Sequence, residues 1–346
     1  MTAKSAELAT EPVLKLGEHN VQGIKRPLGR RLLRFLESYA LLVLLVVMVI
    51  FFSVWPQTSG VFLTPANLQI LVASQAVLGV VALGALIPLI CGEFDLAVGA
   101  VAALSAVLVA QVLSSGVPVW IGLMVALGVG AAVGIANGLI VTKLGVNAVV
   151  ATLGMSTILV GVIRHDTGGL APPSDIPAAL TDFGNGKFLG LPMIFVALIA
   201  AAGIVYFVLD HTPMGRQIYA LGSNPAAAVL VGLKNNRLRG LALFAGAVLC
   251  GLAGWLYVAR AGGADPKLSG TFTLPALAAA FLSAASVRPG RYNVWGAIIA
   301  IYFLAVLNNG LNLAGAETYV SEYVNGIALI AGVALAAVLR KRSHSA

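Results

Sequence analysis

The segment TPMGRQIYALGSNPAAAVLVGLKNNRLR, residues 212–239, is a polar and basic insert between long apolar runs. Its centre predicts a short capped helix over residues 225–231. Asn224 can accept a free amide proton at the N-cap, Pro225 suits the first helical position, and Gly232 can end the helix. Seven helical residues extend only roughly 10 Å, so this segment predicts a short projection that a partner protein could hold.

The apolar runs around this insert predict an all-α membrane protein. The chain of 346 residues is 59% hydrophobic and only 10% charged, with a mean hydropathy of +0.97, which excludes an ordinary soluble domain. A spanning helix needs about 20 apolar residues, so the first two runs must each fold back once, and ten spans are expected. The runs that lack Asp, Glu, Lys and Arg are 38–92, 96–142, 144–163, 188–209, 240–259, 268–287, 292–316 and 323–339.

Turn residues mark where the two long runs fold back, at 56–60 and at 114–116. The runs lack the alternating pattern of barrel strands, which favours helices. With the N-terminus inside, the basic residues concentrate on the cytoplasmic side, so both termini are expected there. Only four of the 21 Lys and Arg fall outside, namely Arg164, Lys187, Arg260 and Lys267.

This topology predicts three parts of the chain: a basic cytoplasmic arm (1–36), a ten-helix membrane domain (37–340) and a cytoplasmic tail (341–346). The cytoplasmic loop at 212–235, called the coupling segment below, belongs to the membrane domain. The net charge of +8 is explained by an arm and loops that face anionic lipid headgroups, so no nucleic-acid partner is expected.

The residue inventory argues against an enzyme. The histidines all lie in the arm, loops or tail, and the sequence contains no HExxH or Walker A pattern. We therefore expect no catalytic residue, no metal site and no nucleotide bound by this chain. Cys91 and Cys250 lie in or beside apolar runs, where free thiols are expected. Acidic residues lie at run boundaries, which disfavours coupling to ions through buried carboxylates but leaves open a sodium site made of backbone carbonyls.

Several polar residues have two interpretations. Asp95 is expected to cap the N-terminus of the third span, and a direct role in substrate passage is the alternative. Uncharged polar residues inside the runs could bind a hydroxylated solute along a central path, or could bond neighbouring helices. These candidate path residues are Gln75, Asn137, Thr152, Ser156, Asn308, Asn309 and Asn312.

Two further segments carry expectations about packing and surface. Gly130, Gly134 and Gly138 share one face of the fourth span, which predicts close approach of another helix. The largest outer loop runs from Arg164 to about Leu189 and is either a docking surface or a simple connector.

Four segments resemble the permease subunits of bacterial ABC importers for ribose, xylose, arabinose and related sugars. The segment TPMGRQIYALGSNPAAAVLVGL (212–233) is similar to the cytoplasmic coupling segment of that family. GEFDLAVG (92–99), ANGLIVTKLGVNAVVATLGM (136–155) and LNNGLNLAG (307–315) resemble its other signatures, in the expected order. The four segments are spread along residues 65–340, at the expected separations.

The resemblance implies a ten-span subunit with the helical arrangement of the vitamin B12 importer (type II-like), located in the bacterial inner membrane. It implies a second copy of this chain or a homologous permease, and a periplasmic or secreted sugar-binding protein. It also implies cytoplasmic ATPase subunits, which bind ATP and Mg. In the coupling segment, Gly215 would permit close approach to the ATPase, Arg216 would meet its polar groups, and Ile218 and Tyr219 would be apolar anchors. The helix held by the ATPase would include Asn224, Pro225, Ala226, Ala227 and Gly232.

The sequence departs from the family at two places. Ala97 stands where Ser is usual, and Ser283 and Ala284 stand where glycines are expected. The alternatives are a permease of the same superfamily for branched-chain amino acids or nucleosides, and a secondary transporter that acts alone.

Overall fold

In the computed structural model, residues 28–172, 175–317 and 319–344 are described, and they are predominantly helical. Two short strands, β1 (Lys187–Phe188) and β2 (Leu191–Pro192), form an antiparallel hairpin. A π-helical turn covers Phe207–His211 and a 3₁₀ turn covers Ser283–Ala285. The α-helices are α1 (Leu28–Val54), α2 (Pro65–Ile90), α3 (Val98–Ser114), α4 (Val119–Thr142), α5 (Ala148–Thr167), α6 (Ala178–Asn185), α7 (Met193–Tyr206), α8 (Pro213–Ser223), α9 (Pro225–Leu230), α10 (Asn235–Ala261), α11 (Leu268–Leu282), α12 (Val294–Leu313) and α13 (Tyr319–His344).

The protein is a helical membrane protein, as predicted. In the described part of the chain, eight helices are long and apolar enough to cross a bilayer: α2, α4, α5, α7 with its π-helical turn, α10, α11 with its 3₁₀ turn, α12 and α13. Two further apolar helices, Tyr39–Val54 within α1 and Val98–Ser114, are shorter than the other eight. These ten apolar helices overlap the ten predicted spans, but only eight of them have the length and composition of a spanning helix, so the count of ten stays a prediction.

The two predicted turns are present. The first chain reversal ends at Thr64, whose side chain accepts the Asn67 amide proton and so caps α2. The second contains Gly116, whose φ of +80° suits a residue without a Cβ. The predicted boundaries of the arm and tail fall inside helices, because α1 begins at Leu28 and α13 continues to His344. Residues 1–27 of the arm and 345–346 of the tail lie outside the described residues.

The centre of the bundle is formed by α2, α3, α10 and α11. The glycine face of α4 packs on α10, as predicted. A Cβ on Gly130 would lie 2.5 Å from the carbonyl oxygen of Ala247, and one on Gly134 would lie 2.8 Å from the Cα of Phe244. The two backbones therefore meet directly, and no side chain longer than glycine fits at these positions.

Candidate functional site

The predicted capped helix is present at α9. The Asn224 side chain accepts the Ala227 amide proton at 3.0 Å, and Pro225 occupies the first helical position. The helix ends one residue earlier than predicted, at Leu230. Gly232 follows with φ +81°, and its amide bonds the Val229 carbonyl at 2.9 Å. With a second bond from the Leu233 amide to the Ala228 carbonyl at 3.0 Å, these contacts form a Schellman motif.

The tip of α9 is apolar and exposed. Leu230 is 87% exposed and Val231 is 76% exposed, and Val229 beside them is also exposed. Ala228 is the buried residue of this helix. Exposed branched apolar side chains at the end of a short helix are typical of a surface that a partner covers. These exposed side chains could not be predicted from the sequence, because six residues are too few for an apolar face to be recognised from periodicity.

Gly215 and Ile218, predicted to meet a partner, instead pack within the chain. A Cβ on Gly215 would lie 2.1 Å from the carbonyl oxygen of Leu209, so this glycine allows α8 to pack on the preceding turn. Ile218 is only 2% exposed and belongs to the main core. Arg216, by contrast, is exposed. The expectation that Ile218 anchors a partner is therefore wrong, since burial within this chain removes it from the surface.

Tyr219 is also held within the chain. Its hydroxyl donates a hydrogen bond to the Tyr292 carbonyl at 2.9 Å, and the guanidinium carbon of Arg291 lies 3.6 Å from its ring centroid. Burial raises the pKa of the Tyr219 hydroxyl, so this group stays protonated and remains a donor. Tyr219 thus fastens α8 to the loop that follows the 3₁₀ turn. It is only half-buried, and its role as an anchor for a partner stays a prediction.

Two ion pairs hold the flanks of the coupling segment. Asp210, which lies just before the coupling segment, pairs with Arg288. Arg239, which lies just after the segment, pairs with Glu93. The hydrogen bond that the Arg288 guanidinium donates to the Asp210 carboxylate raises the pKa of Arg288, which stays charged. Both pairs are only partly exposed, so water screens them less than a surface pair. Neither pair could be predicted from the sequence, because the two residues of each pair are far apart in the chain.

A cavity of about 460 Å³ lies beside α8. Gly222 marks the place where α8 meets α2, because a Cβ there would lie 1.8 Å from the Ile90 carbonyl oxygen. The lining residues are Leu89, Ile90, Tyr219, Ala220, Gly222, Ser223, Pro289, Gly290, Arg291 and Tyr292. This cavity therefore lies between α8, which precedes the α9 projection, and the C-terminal end of α2.

A second cavity, of about 210 Å³, lies among the membrane helices and contains two of the predicted path residues, Gln75 and Asn308. The amide nitrogen of Asn308 donates to Asn325 at 3.4 Å. The lining is made of hydroxyl, amide and apolar side chains and includes no ionisable group. The lining residues are Ser74, Gln75, Leu78, Thr271, Phe272, Pro275, Ile301, Leu304, Ala305, Asn308 and Asn325.

The other candidate path residues do not line this cavity. Asn309 exchanges hydrogen bonds with Asn67, at 3.0 and 3.1 Å, and so joins α12 to α2. The Thr152 hydroxyl donates to the Ala148 carbonyl and accepts the Leu96 amide proton. These two residues serve helix contacts, which was the alternative interpretation.

The remaining three candidate path residues lie apart from one another. Asn137 is buried in α4, and neither of its side-chain polar atoms has a hydrogen-bond partner within the described residues. Ser156 is half-buried on α5, and Asn312 is exposed near the end of α12. The predicted path residues therefore do not form one continuous lining in a single copy of the chain.

Asp95 lies immediately before α3 and is 1% exposed. Its Oδ1 accepts the Ala97 amide proton at 2.8 Å. The N-cap position of α3 is Ala97, which makes no side-chain capping bond. The predicted cap is therefore displaced: Asp95 bonds the amide of the N-cap residue rather than the first turn, because the chain is still non-helical at 94–97. The Thr152 hydroxyl stabilises this same non-helical stretch by accepting the Leu96 amide proton.

The described residues offer two features that can bind a partner or a solute. No group of three or more His, Cys, Asp or Glu side chains lies close enough there to hold a metal ion. Cys91 and Cys250 are free and buried. The candidate functional features are thus the α9 projection with its exposed tip and the uncharged polar cavity between spanning helices.

Comparisons with known proteins agree with this architecture. The family model described as "Branched-chain amino acid transport system / permease component" matches residues 67–333. The chain is 34% identical over 290 residues to the ribose import permease protein of Bacillus subtilis (strain 168), covering 82% of this chain and 87% of that protein. It is 29% identical over 304 residues to the D-allose transport system permease protein of Escherichia coli (strain K12), covering 86% and 91%. It is 27% identical over 296 residues to the L-arabinose ABC transporter permease protein of Azospirillum brasilense, covering 86% of each chain. The chain has no significant match among solved structures.

Proposed function

Because the chain belongs to the family of branched-chain amino acid transport system permease components, we propose that it is the membrane-spanning subunit of an ATP-binding-cassette importer for a monosaccharide. The solute would be a pentose, a hexose or a related polyol. The observation that carries this choice of solute is the cavity of about 210 Å³ lined by amide and hydroxyl groups.

The chemistry of that cavity suits a neutral, hydroxylated solute. Gln75 and Asn308 each offer both a donor and an acceptor, which is what a sugar hydroxyl requires. An amino acid would bring a carboxylate and an ammonium group away from water, and each would need an opposite charge nearby. The lining of this cavity contains no charged side chain. Phe272 adds an aromatic surface for the apolar face of a sugar ring.

The α9 projection is the proposed contact with a cytoplasmic ATPase. On this proposal its exposed tip, Val229 to Val231, enters a cleft of the ATPase, and Arg216 meets polar or acidic groups at the rim. The apolar anchors are therefore at the tip of α9 rather than on α8. Movement of α9 would pass through α8 to α2, because Gly222 brings these two backbones into contact.

The remaining parts of the proposal follow from the family. The subunit has ten spans with both termini in the cytoplasm, in the type II-like arrangement, and lies in the bacterial inner membrane. It works beside a second copy of itself or a homologous permease and receives solute from an extracytoplasmic sugar-binding protein. The chain binds no cofactor, whereas the ATPase subunits bind ATP and Mg and hydrolyse the nucleotide.

The test is uptake of labelled D-ribose, D-allose and L-arabinose by proteoliposomes that contain the permease, its ATPase and its sugar-binding protein. We expect uptake of one of these sugars that requires ATP and all three components. Arg216→Glu should abolish uptake while insertion into the membrane is unchanged, and Arg216→Lys should retain most of it. Uptake at the normal rate without an ATPase would refute the proposal and would identify a secondary transporter.

Branched-chain amino acids are the second candidate solutes, because the matching family model carries their name. Labelled leucine in the same proteoliposomes separates the two candidates. Leucine uptake without sugar uptake would reject the monosaccharide and retain the ABC importer.

A further inference from the structure

The β1–β2 hairpin in the outer loop exposes three large apolar side chains. Leu189 at its turn is 88% exposed, Phe188 is 53% exposed and Leu191 is 48% exposed. Phe188 and Leu191 are directly opposed in the ladder, so their side chains project from the same face of the hairpin. The result is a compact apolar surface with Leu189 at its end.

The turn of this hairpin holds a leucine in a conformation that favours other residues. Leu189 and Gly190 are its two central residues, with φ of +51° and +83°. Positive φ at both positions is the pattern of a type I′ turn, where asparagine is preferred at the first position. Local backbone preference therefore does not explain the leucine. Its large exposed side chain points to a contact outside the described chain.

The hairpin lies at a membrane boundary. β2 packs against α2 and α7, and α7 begins directly after it at Met193. The candidate span Met193–His211 has 19 residues, or roughly 28 Å of helix, which only just crosses a hydrocarbon core of about 30 Å. Met193 must therefore lie close to the edge of the hydrocarbon.

The length of the hairpin keeps its turn in the interfacial layer. Each strand has two residues, which extend roughly 7 Å. The headgroup layer on each side of a bilayer is of similar thickness, about 5–8 Å. Lys187 at the start of the hairpin is exposed, and its long side chain can reach lipid phosphates while its neighbours contact the acyl chains.

We propose that the hairpin at residues 187–192 is a lipid anchor, with Phe188, Leu189 and Leu191 inserted into the outer membrane interface beside α7. The occupant of this apolar surface is the acyl and headgroup boundary of the bilayer. The anchor fixes the end of the outer loop, which the sequence left open as either a docking surface or a connector. This inference depends on the membrane span that follows the hairpin and is independent of the solute.

The test measures the depth of a nitroxide label at the turn in lipid nanodiscs. Leu189→Cys can be labelled selectively because both native cysteines, Cys91 and Cys250, are buried. Collision of the label with oxygen, which concentrates in lipid, is compared with collision with a water-soluble nickel chelate. Asp182→Cys on α6 is the matched control, since its exposed carboxylate position is expected to face water. The unmodified protein treated with the label provides the blank.

We expect the oxygen-to-nickel collision ratio to be several-fold higher at position 189 than at position 182. A ratio equal to that of the control, or weak collision with both reagents because protein covers the turn, would overturn the proposal. A second measurement places the label at Phe188→Cys with and without Leu189→Asn. The asparagine fits the turn, so the fold is retained, and the label should move toward water. An unchanged label position would show that Leu189 is not an anchor.

Discussion

The caps of α9 offer the sharpest test of how this short helix is maintained. A six-residue helix is too short to be stable alone, and Ala228 is its buried residue, so the caps supply much of its stability. Asn224→Ala removes the bond to the Ala227 amide and should cost about 1 kcal/mol. That cost raises the population of the locally open helix about fivefold. Gly232→Ala forces alanine to φ +81° and should cost about 1–2 kcal/mol.

Hydrogen exchange of the peptide that covers residues 225–233, measured in nanodiscs, reports this opening directly. We expect exchange to accelerate about fivefold in Asn224→Ala and by a similar or larger factor in Gly232→Ala, in proportion to the lost stability. Sugar uptake should fall in the same order, because an open helix cannot transmit movement to the membrane helices.

Two variants serve as matched controls. Asn224→Ser keeps an oxygen at the N-cap, and Gly232→Asn keeps a residue that tolerates positive φ. Both should exchange nearly as slowly as the unmodified chain. Unchanged exchange in Asn224→Ala would refute the reasoning about the caps, and an equal loss of uptake in Asn224→Ser would refute the link between helix stability and transport.

Three further predictions concern packing, charge and the cavity. Gly222→Ala places a Cβ 1.8 Å from a carbonyl oxygen of α2 and should destabilise the protein by about 3 kcal/mol, whereas Gly203→Ala, which meets open space, should not lower the melting temperature. Arg239→Met leaves the Glu93 carboxylate unpaired, with 13% of its side chain exposed, and should cost about 2 kcal/mol, measured by thermal unfolding. Asn308→Leu removes one donor and one acceptor from the cavity and should lower uptake about fivefold in a transport assay.

Each of these has an outcome that contradicts it. An unchanged melting temperature in Gly222→Ala would mean that α8 and α2 are not in backbone contact. If Glu93→Gln fails to recover stability in the Arg239→Met background, the loss did not come from an unpaired charge. Full uptake by Asn308→Leu would remove this residue from the solute path.

The features that depend on local chemistry or on composition could be predicted from the sequence. The apolar runs gave the positions of the membrane helices, and Asn224, Pro225 and Gly232 gave the α9 helix to within one residue, because caps act over three or four residues. The glycine face of α4 was also predicted correctly, since small residues at a spacing of four are typical of close helix contacts in membranes.

The side-chain assignments that depend on tertiary packing were less successful. Ile218 and Tyr219 look like anchors in the sequence, but which face of α8 is buried depends on α2 and on the loop at Tyr292, far away in the chain. The same reason explains why Asn309 was expected in the path, since its partner Asn67 is 242 positions away. Pairing between distant residues leaves no periodic signal in one sequence.

The backbone contact between α4 and α10 limits where this protein can change shape. At Gly130 and Gly134 there are no side chains that could adopt new rotamers while one helix slides over the other. Any displacement of one helix against the other would break contacts between backbone atoms. The two helices must therefore move together as one rigid body. Opening and closing of a passage must then involve other helices, such as α5, whose surface is mostly uncovered within one copy of the chain.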